Sequence, residues 1–267
     1  MCLIAFAWDA HPRWRFALVA NRDEFHARPT AAAGPDPDHP DVHGGRDLRA
    51  GGGWLMLSTR RRLAAVTNVR AGREPGTAAR SRGALVRDFA AGDAGADAYA
   101  GALRPIAHEF GRFNLLLWDG GAPVFAGNHP RFATHPVATG LHAMSNGAFD
   151  AAWPKAEGAS RALAAWLDAQ PSLPAGGRQA RDPDLAPLFA ALADETPAPD
   201  ALLPETGVGP ALERRLSPAF IRDPVYGTRC SSIVLADAHG ALFAERRFAA
   251  DAQVTGESVA RLDWRGA

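Results

Sequence analysis

The sequence predicts an antiparallel α+β protein. Short apolar runs recur in pairs across turn-rich segments, which is the pattern of β-hairpins. Helical periodicity falls in segments between the pairs and does not alternate with single strands, which argues against a parallel sheet. Short, strongly apolar strands are expected when two sheets are stacked and each also carries helices. No break in composition demands a second unit, so we predict one domain over residues 1–267.

Four hairpins account for most of the predicted strands. Their tips carry Asp, Gly, Pro or Arg, which are residues typical of turns. The predicted strands are Leu3–Trp8, Phe16–Ala20, Trp54–Ser58, Leu63–Thr67, Phe113–Trp118, Pro123–Ala126, Leu141–Ser145, Ser232–Ala236 and Leu242–Arg247. The segment 31–53 is rich in Ala, Gly, Pro, Asp and His and ends in three glycines, so we predict a loop there.

Four helices are predicted between these strands. In the first, Ser81–Ala91, apolar residues recur at helical spacing and Gly92 ends the run. The others are Ala96–Leu103, Pro154–Leu167 and Leu185–Leu192. The Pro- and Gly-rich segments 171–183 and 194–210 are predicted to be loops.

The charge balance excludes several functional classes. The chain has 29 Lys and Arg against 29 Asp and Glu, and a pI of about 7.1, so no overall field draws it to nucleic acid or anionic lipid.

Two cysteines form no disulfide framework, and no apolar run approaches the length of a membrane span. We therefore predict a cytoplasmic protein without an integral membrane segment. The abundance of Ala, Gly, Pro and Arg is typical of GC-rich bacterial coding.

Cys2 is the first candidate catalytic residue. Removal of Met1 would place a thiol and a free α-amine on one residue, and an α-amine with a pKa of about 7.7–8.0 can accept the thiol proton. The alternative is that Cys2 is only the small second residue of the first strand.

The polar run Asn21-Arg22-Asp23-Glu24 directly follows the predicted strand Phe16–Ala20. Antiparallel pairing in the first hairpin places residues 21–23 beside the start of the first strand, and therefore near Cys2. An arginine such as Arg22 favours the thiolate, and Asp23 can hold the α-amine by a charge-assisted hydrogen bond. The alternative is a solvated loop at a strand end.

Three further polar residues stand at the ends of predicted strands: Asn68, Asn146 and Arg229. An asparagine amide can donate to an oxyanion, and an arginine can clamp a carboxylate or phosphate. Such residues are also common turn formers. Because neighbouring side chains alternate along a strand, we predict that Cys230 points away from Arg229 into packing and forms no disulfide with Cys2. The nine histidines show no metal-ligand spacing, so no metal site is predicted.

A series of short motifs, in order along nearly the whole chain, resembles the NRDE family, also called Transport and Golgi organisation 2. The motifs are Met1-Cys2, Asn21-Arg22-Asp23-Glu24-Phe25 with Arg28-Pro29, Gly53-Trp54-Leu55, Ser58-Thr59-Arg60, Ala64-Ala65-Val66-Thr67-Asn68, Ser81-Arg82-Gly83, Phe113-Asn114-Leu115, Leu141 with Ser145-Asn146, Trp153-Pro154-Lys155, Tyr226-Gly227-Thr228-Arg229 and Glu245-Arg246.

The resemblance implies an Ntn-hydrolase-like fold, a four-layer αββα sandwich of two stacked antiparallel sheets. More distantly, the layout is similar to amidases of the choloylglycine hydrolase and penicillin acylase group. Carried over by motif, their catalytic set corresponds to Cys2, Arg22, Asp23, Asn68, Asn146 and Arg229. The amidases space their Arg and Asp apart, whereas Arg22 and Asp23 are adjacent here.

Two functions stay open at this point. The first is a cysteine Ntn amidohydrolase acting on a non-peptide amide C–N bond, which requires no cofactor. The second is a non-catalytic carrier of haem or of an acyl-CoA or lipid-like ligand on the same scaffold, as the family's links to haem trafficking and acyl-CoA metabolism imply. Either function predicts a small-molecule ligand and no nucleic acid, and neither fixes the oligomeric state. A structural or partner-binding role is the third alternative.

Overall fold

The computed structural model describes residues 3–72, 78–172 and 182–265. The strands of these ranges are β1 (Leu3–Trp8), β2 (Phe16–Phe25), β3 (Thr30–Pro35), β4 (Val42–Asp47), β5 (Gly53–Ser58), β6 (Arg62–Asn68), β7 (Phe113–Trp118), β8 (Val124–Gly127), β9 (Ala133–Pro136), β10 (Gly140–Met144), β11 (Tyr226–Ala236), β12 (Gly240–Phe248) and β13 (Val254–Asp263). The helices are α1 (Arg82–Ala91), α2 (Ala96–Ala102), α3 (Pro154–Asp168), α4 (Ala186–Leu192) and α5 (Pro210–Arg215).

The strands form two antiparallel sheets. The first has six strands in the order β10-β1-β2-β11-β12-β13, and the second has seven in the order β3-β4-β5-β6-β7-β8-β9. In the first sheet the amino-terminal hairpin lies in the interior, because β10 flanks β1 and β11 flanks β2. The hairpin of β1 and β2 is therefore flanked on both sides by strands that come from residues far along the sequence.

Three apolar clusters show that the molecule has four layers. The first lies between the sheets, where Phe6 and Phe16 of one sheet meet Leu55 and Trp118 of the other. The second packs the outer face of the first sheet against α3 and α4, and the third packs the outer face of the second sheet against α1 and α2. The predicted α+β sandwich of two stacked antiparallel sheets is confirmed.

The predicted hairpins and four helices are present, with ends shifted by one or two residues at most positions. The prediction was wrong for residues 31–53, where β3 and β4 form the edge of the second sheet. Few residues of β4 favour a strand, and Gly44 explains how it forms nevertheless. A side chain at Gly44 would lie 2.4 Å from the Leu55 carbonyl oxygen, so only glycine permits the close pairing with β5. The sequence analysis also missed β9, β13 and α5.

Two of the predicted strands are longer than expected. The segment Asn21–Phe25 belongs to β2 and does not follow it, because β11 pairs with β2 along its whole length. For the same reason Arg229 lies inside β11 and not ahead of it. Among the helices of the described ranges, none is both long and apolar enough to cross a membrane; α3 is the longest, with 15 residues.

Candidate active site

The start of β1 and the ends of β2 and β10 lie together at one end of the sandwich. Leu3 pairs with Asn21, and Ile4 pairs with Met144, two residues before Asn146. Met1 and Cys2 lie outside the described residues, so the contact of Cys2 with this end of the sheet stays a prediction. The residues around the first described position of β1 define the candidate site.

Arg22 is the buried cation of this site. Its side chain is 4% exposed, and its guanidinium carbon lies 4.3 Å from the centre of the Trp54 ring. Nη1 donates a hydrogen bond to the Thr30 hydroxyl at 3.1 Å, whereas the nearest carboxylate oxygen, of Glu24, is 3.9 Å from Nη2. Within the described residues this buried charge thus has one weak ion pair, with Glu24, and neutral partners, which leaves the guanidinium able to bind a further anion.

Asp23 points to the opposite face of the sheet from Arg22, as alternation along β2 requires. Its Oδ1 accepts a hydrogen bond of 2.7 Å from the hydroxyl of Thr228, its cross-strand partner in β11. The same hydroxyl accepts a hydrogen bond from the backbone amide of Ile221. The Asp23 carboxylate is therefore fixed in position by groups outside the cleft that Arg22 lines.

Asn68 and Asn146 tie the two sheets together at this end. The Asn146 side-chain amide donates to the Asn68 carbonyl at 3.0 Å, and the Thr67 hydroxyl donates to the Ser145 carbonyl at 2.7 Å. Both asparagines line a cavity of about 180 Å³. Asn68 also lines the larger cleft beside Arg22, so it borders both spaces.

Arg229 occupies a β-bulge in β11. The register with β2 shifts between Thr228 and Cys230, so Arg229 stands opposite no residue of the neighbouring strand. Its Nη1 donates to the carbonyls of Phe25 and Arg28, at 2.9 and 3.1 Å, which fixes the turn after β2. Burial and the nearby charge of Arg22 lower the pKa of Arg229.

The bulge also corrects the expected position of Cys230. Simple alternation predicted that Arg229 and Cys230 point to opposite faces, but both line one cavity of about 260 Å³, which Trp54 separates from the Arg22 cleft. Cys230 is nevertheless packed in the core between the sheets, as expected. Burial raises the pKa of its thiol well above the ordinary value.

The cleft beside Arg22 has a volume of about 520 Å³. Its charged lining consists of four arginines and two carboxylates: Arg22, Arg28, Arg80, Arg82, Glu24 and Asp47. Arg28 is paired with Asp47 at 2.6 Å. The excess of arginine makes the cleft suited to an anionic ligand.

The sequence analysis gave no role to Trp54, Arg80 or Arg82, although two of the family motifs contain Trp54 and Arg82. No spacing in the sequence predicts that these three residues lie together, because Trp54 belongs to β5 whereas Arg80 and Arg82 lie at the start of α1. A cavity of about 660 Å³ lies at the far end of the sandwich, among hairpin tips that include Arg13, Arg61 and Asp237. It contains none of the predicted site residues. In the described part of the chain, no three His, Cys, Asp or Glu side chains are placed to hold a metal ion.

Comparison with known proteins identifies the relatives of this chain. Residues 1–250 match the family model described as Transport and Golgi organisation 2. The chain is 33% identical over 263 residues to the Transport and Golgi organization protein 2 homolog of Bos taurus, a match that covers 92% of each chain. It is 31% identical over 265 residues to the Homo sapiens homolog, again over 92% of each.

A solved structure shares the fold. The Caenorhabditis elegans ortholog of N-acylethanolamine-hydrolyzing acid amidase superposes with a TM-score of 0.51 at 10% sequence identity. The match covers 88% of this chain and 92% of that one. At this identity the likeness shows the Ntn-hydrolase-like fold and not the activity.

Proposed function

The chain belongs to the Transport and Golgi organisation 2 family, and from that premise we propose that it is an amino-terminal-nucleophile hydrolase. Its substrate on this proposal is a non-peptide amide, whose C–N bond is cleaved by the thiolate of Cys2. The proposal is supported by the fold shared with an amidase and by the arrangement of the residues around the start of β1.

The buried Arg22 is the observation that carries the proposal. Along β1, Ile4 and Phe6 face the space between the sheets. Ile4 pairs with Ala20 of β2. Because side chains alternate along a strand, Arg22, two residues after Ala20, lies on this same face. The proposal assumes that this alternation extends from Ile4 back to residue 2. A thiol beside a guanidinium has a lowered pKa and is more reactive as the thiolate.

The proposed reaction uses groups of this chain only. After removal of Met1, the α-amine takes the thiol proton, and the sulfur adds to the amide carbonyl with formation of a C–S bond. The Asn68 side-chain amide donates to the oxyanion, and Asp23 orients the α-ammonium group. The C–N bond then breaks, the amine leaves with the proton from the α-ammonium group, and water cleaves the thioester to release the acid and restore the thiol.

A carrier of an acyl-CoA-like ligand is the second candidate, and the arginine-lined cleft favours it. Four arginines against two carboxylates in a space of about 520 Å³ suit a ligand that carries phosphate groups. This candidate needs no reaction at Cys2. It predicts that palmitoyl-CoA binds Cys2→Ala as tightly as it binds the wild type, and that it binds Arg82→Ala more weakly than the wild type. Haem binding, by contrast, stays a prediction from the family resemblance.

The test is intact-mass analysis combined with iodoacetamide labelling at neutral pH. We expect loss of Met1 and rapid labelling of Cys2 in the wild type and in Cys230→Ala, and no rapid labelling in Cys2→Ala. Cys230, the only other cysteine, is the internal control, because burial protects it and raises the pKa of its thiol. Retention of Met1, or equal labelling of the two cysteines, would contradict the hydrolase proposal.

Arg22 provides the second arm of this test. Replacement of Arg22 by Met should shift the pH profile of Cys2 labelling to higher pH, because the thiolate loses its nearby cation. Arg22→Lys keeps the charge and should shift the profile less. An unchanged profile in Arg22→Met would show that Arg22 does not act on the thiol.

A further inference from the structure

We propose that the outer edge of β13 pairs with β13 of a second copy of this chain. The two strands would run antiparallel about a two-fold axis at Val259 and join two six-stranded sheets into one. The proposal concerns a surface remote from the arginine-lined cleft and does not depend on the proposed activity.

The edge strands of the two sheets differ in how they are protected. β3, β9 and β10 have 6, 4 and 5 residues, and β3 and β9 each end in proline, so these edges offer little continuous backbone for pairing. β13 has 10 residues and no proline. In the described part of the chain it pairs only with β12. It is thus the longest of the four edge strands, and its one register shift lies at Thr255, ahead of residues 257–263.

The outward face of β13 is exposed along its whole length. Its even-numbered residues from Gly256 to Leu262 turn toward the space between the sheets, where Leu262 joins the apolar core. Its odd-numbered residues, from Thr255 to Asp263, are all exposed. Val259, at the centre of this face, is 62% exposed, the highest value among the large apolar side chains described. An apolar side chain flanked by charges is the arrangement of a small interface.

The charges on this face are self-complementary in one register. When Val259 lies opposite its own copy, Glu257 of each chain faces Arg261 of the other, so two opposite-charge pairs form. A shift of the two-fold axis by one residue toward the carboxyl end opposes Glu257 to Asp263, and a shift by one residue the other way places Glu257 opposite Val259. Shifts by two residues oppose Glu257 or Arg261 to itself. Among these registers only the one centred on Val259 places opposite charges together; a shift by three residues opposes Arg261 to Asp263 but leaves only residues 261–263 paired.

The existing ion pairs extend this pattern without being broken. Within one chain Glu257 accepts a hydrogen bond from Arg246 at 2.5 Å, and Arg261 pairs with Asp182. Pairing of the two copies therefore produces a row of alternating charge, from Arg246 through Glu257 to the second copy's Arg261 and Asp182. Each existing pair is solvent-exposed and contributes little stability alone. Pairing of the two copies adds two ion pairs to this network and breaks none of the existing ones.

The experiment is a charge exchange followed by sedimentation analysis over a range of concentrations. We expect the wild type to form a dimer that dissociates on dilution, because a single pair of edge strands buries less area than a standard interface. Glu257→Arg and Arg261→Glu each create like-charge pairs and should raise the dissociation constant about tenfold. The double exchange restores the opposite-charge pairs between the copies, although it reverses the pairing with Arg246 and Asp182 within each chain, so its dissociation constant should fall below that of either single exchange. Glu157→Arg is the matched control, since Glu157 and Arg161 form an exposed pair with the same spacing on α3.

The register is tested by cysteine cross-linking under mild oxidation. Val259→Cys places two cysteines directly opposite each other and should give a disulfide-linked dimer. Val254→Cys, at a position that is also exposed (53%) but far from the two-fold axis, should not. A monomeric wild type at every concentration overturns the proposal, and so does a dimer that the charge exchanges leave unchanged.

Discussion

At the scale of single residues, three consecutive positions of β2 have different surroundings because side chains alternate across the sheet. Asn21 is fully buried and donates to the carbonyls of Leu192 and Ala219, so it fixes the layer that contains α4. Arg22 faces the space between the sheets, and Asp23 faces the same side as Asn21. The adjacency of Arg22 and Asp23, which departs from the spacing in the amidases, therefore separates the two charges onto opposite faces.

The position of Asp23 leads to a prediction about Thr228. Thr228→Val removes the hydroxyl that donates to Asp23 at 2.7 Å and accepts from the amide of Ile221 at 2.9 Å. Because both groups are buried, we expect a loss of about 2–4 kcal/mol in the free energy of unfolding, measured by urea denaturation. Thr228→Ser keeps the hydroxyl and should lose less. Equal losses in the two variants would mean that the methyl group, and not the hydrogen bonds, stabilises this position.

At the scale of elements, the turn between β4 and β5 shapes the arginine-lined cleft. Gly51 and Gly52 have φ angles of +70° and +75°, which favour glycine. A side chain at Gly52 would lie 2.3 Å from the backbone of Gly83 at the start of α1, whereas one at Gly51 would meet nothing within 4 Å. Within the triple glycine that ends the predicted loop, Gly52 thus forms a close contact between a turn and a helix.

These two glycines form a matched pair for mutation. Gly51→Ala should lose about 1 kcal/mol, the strain of a left-handed backbone alone. Gly52→Ala should lose about 1–3 kcal/mol more, because the start of α1 must move. Thermal and urea unfolding of the two variants measure the difference. Equal losses would show that the contact with Gly83 relaxes without cost.

At the scale of the whole molecule, the packing of the sheets sets a pH dependence. His43 of β4 is half-buried and lies 5.1 Å from the Phe243 ring of the opposite sheet, and its Nε2 has no hydrogen-bond partner within the described residues. Burial lowers the pKa of His43 below its ordinary value of 6.5. The folded protein therefore holds this imidazole neutral at pH values where the unfolded chain already protonates it.

The sign of the effect follows from proton uptake by the two states. As the pH falls below 6.5, His43 binds more protons in the unfolded chain than in the folded protein, by at most one, so stability falls as the pH decreases toward the lowered pKa. His43→Gln removes this contribution, and its stability should fall less steeply over the same range. The hydrogen bond to Asp150 raises the pKa of His142, so the contribution of His142 to stability grows as the pH falls. Both proteins contain His142, so this contribution does not affect the difference between them. Parallel stability curves for the two proteins would exclude His43 as the cause.

The sequence by itself determined the strands and helices whose apolar pattern is strong, such as Leu3–Trp8, Phe113–Trp118 and the helix that begins at Pro154. It also determined the family, because the motifs around Arg22, Asn68 and Arg229 occur in order. These features depend on local side-chain chemistry, which the order of residues specifies directly.

Only the tertiary structure decided the rest. β3 and β4 are too rich in Gly and Ala to be recognised, and they exist because β5 supplies their hydrogen bonds and Gly44 permits close approach. Asn21–Phe25 became strand because β11 pairs with it, and the bulge at Arg229 leaves that residue without a partner on β2 and lets it line one cavity together with Cys230. Pairing between distant segments fixes which face a side chain occupies, and that pairing is a property of the assembled sheets.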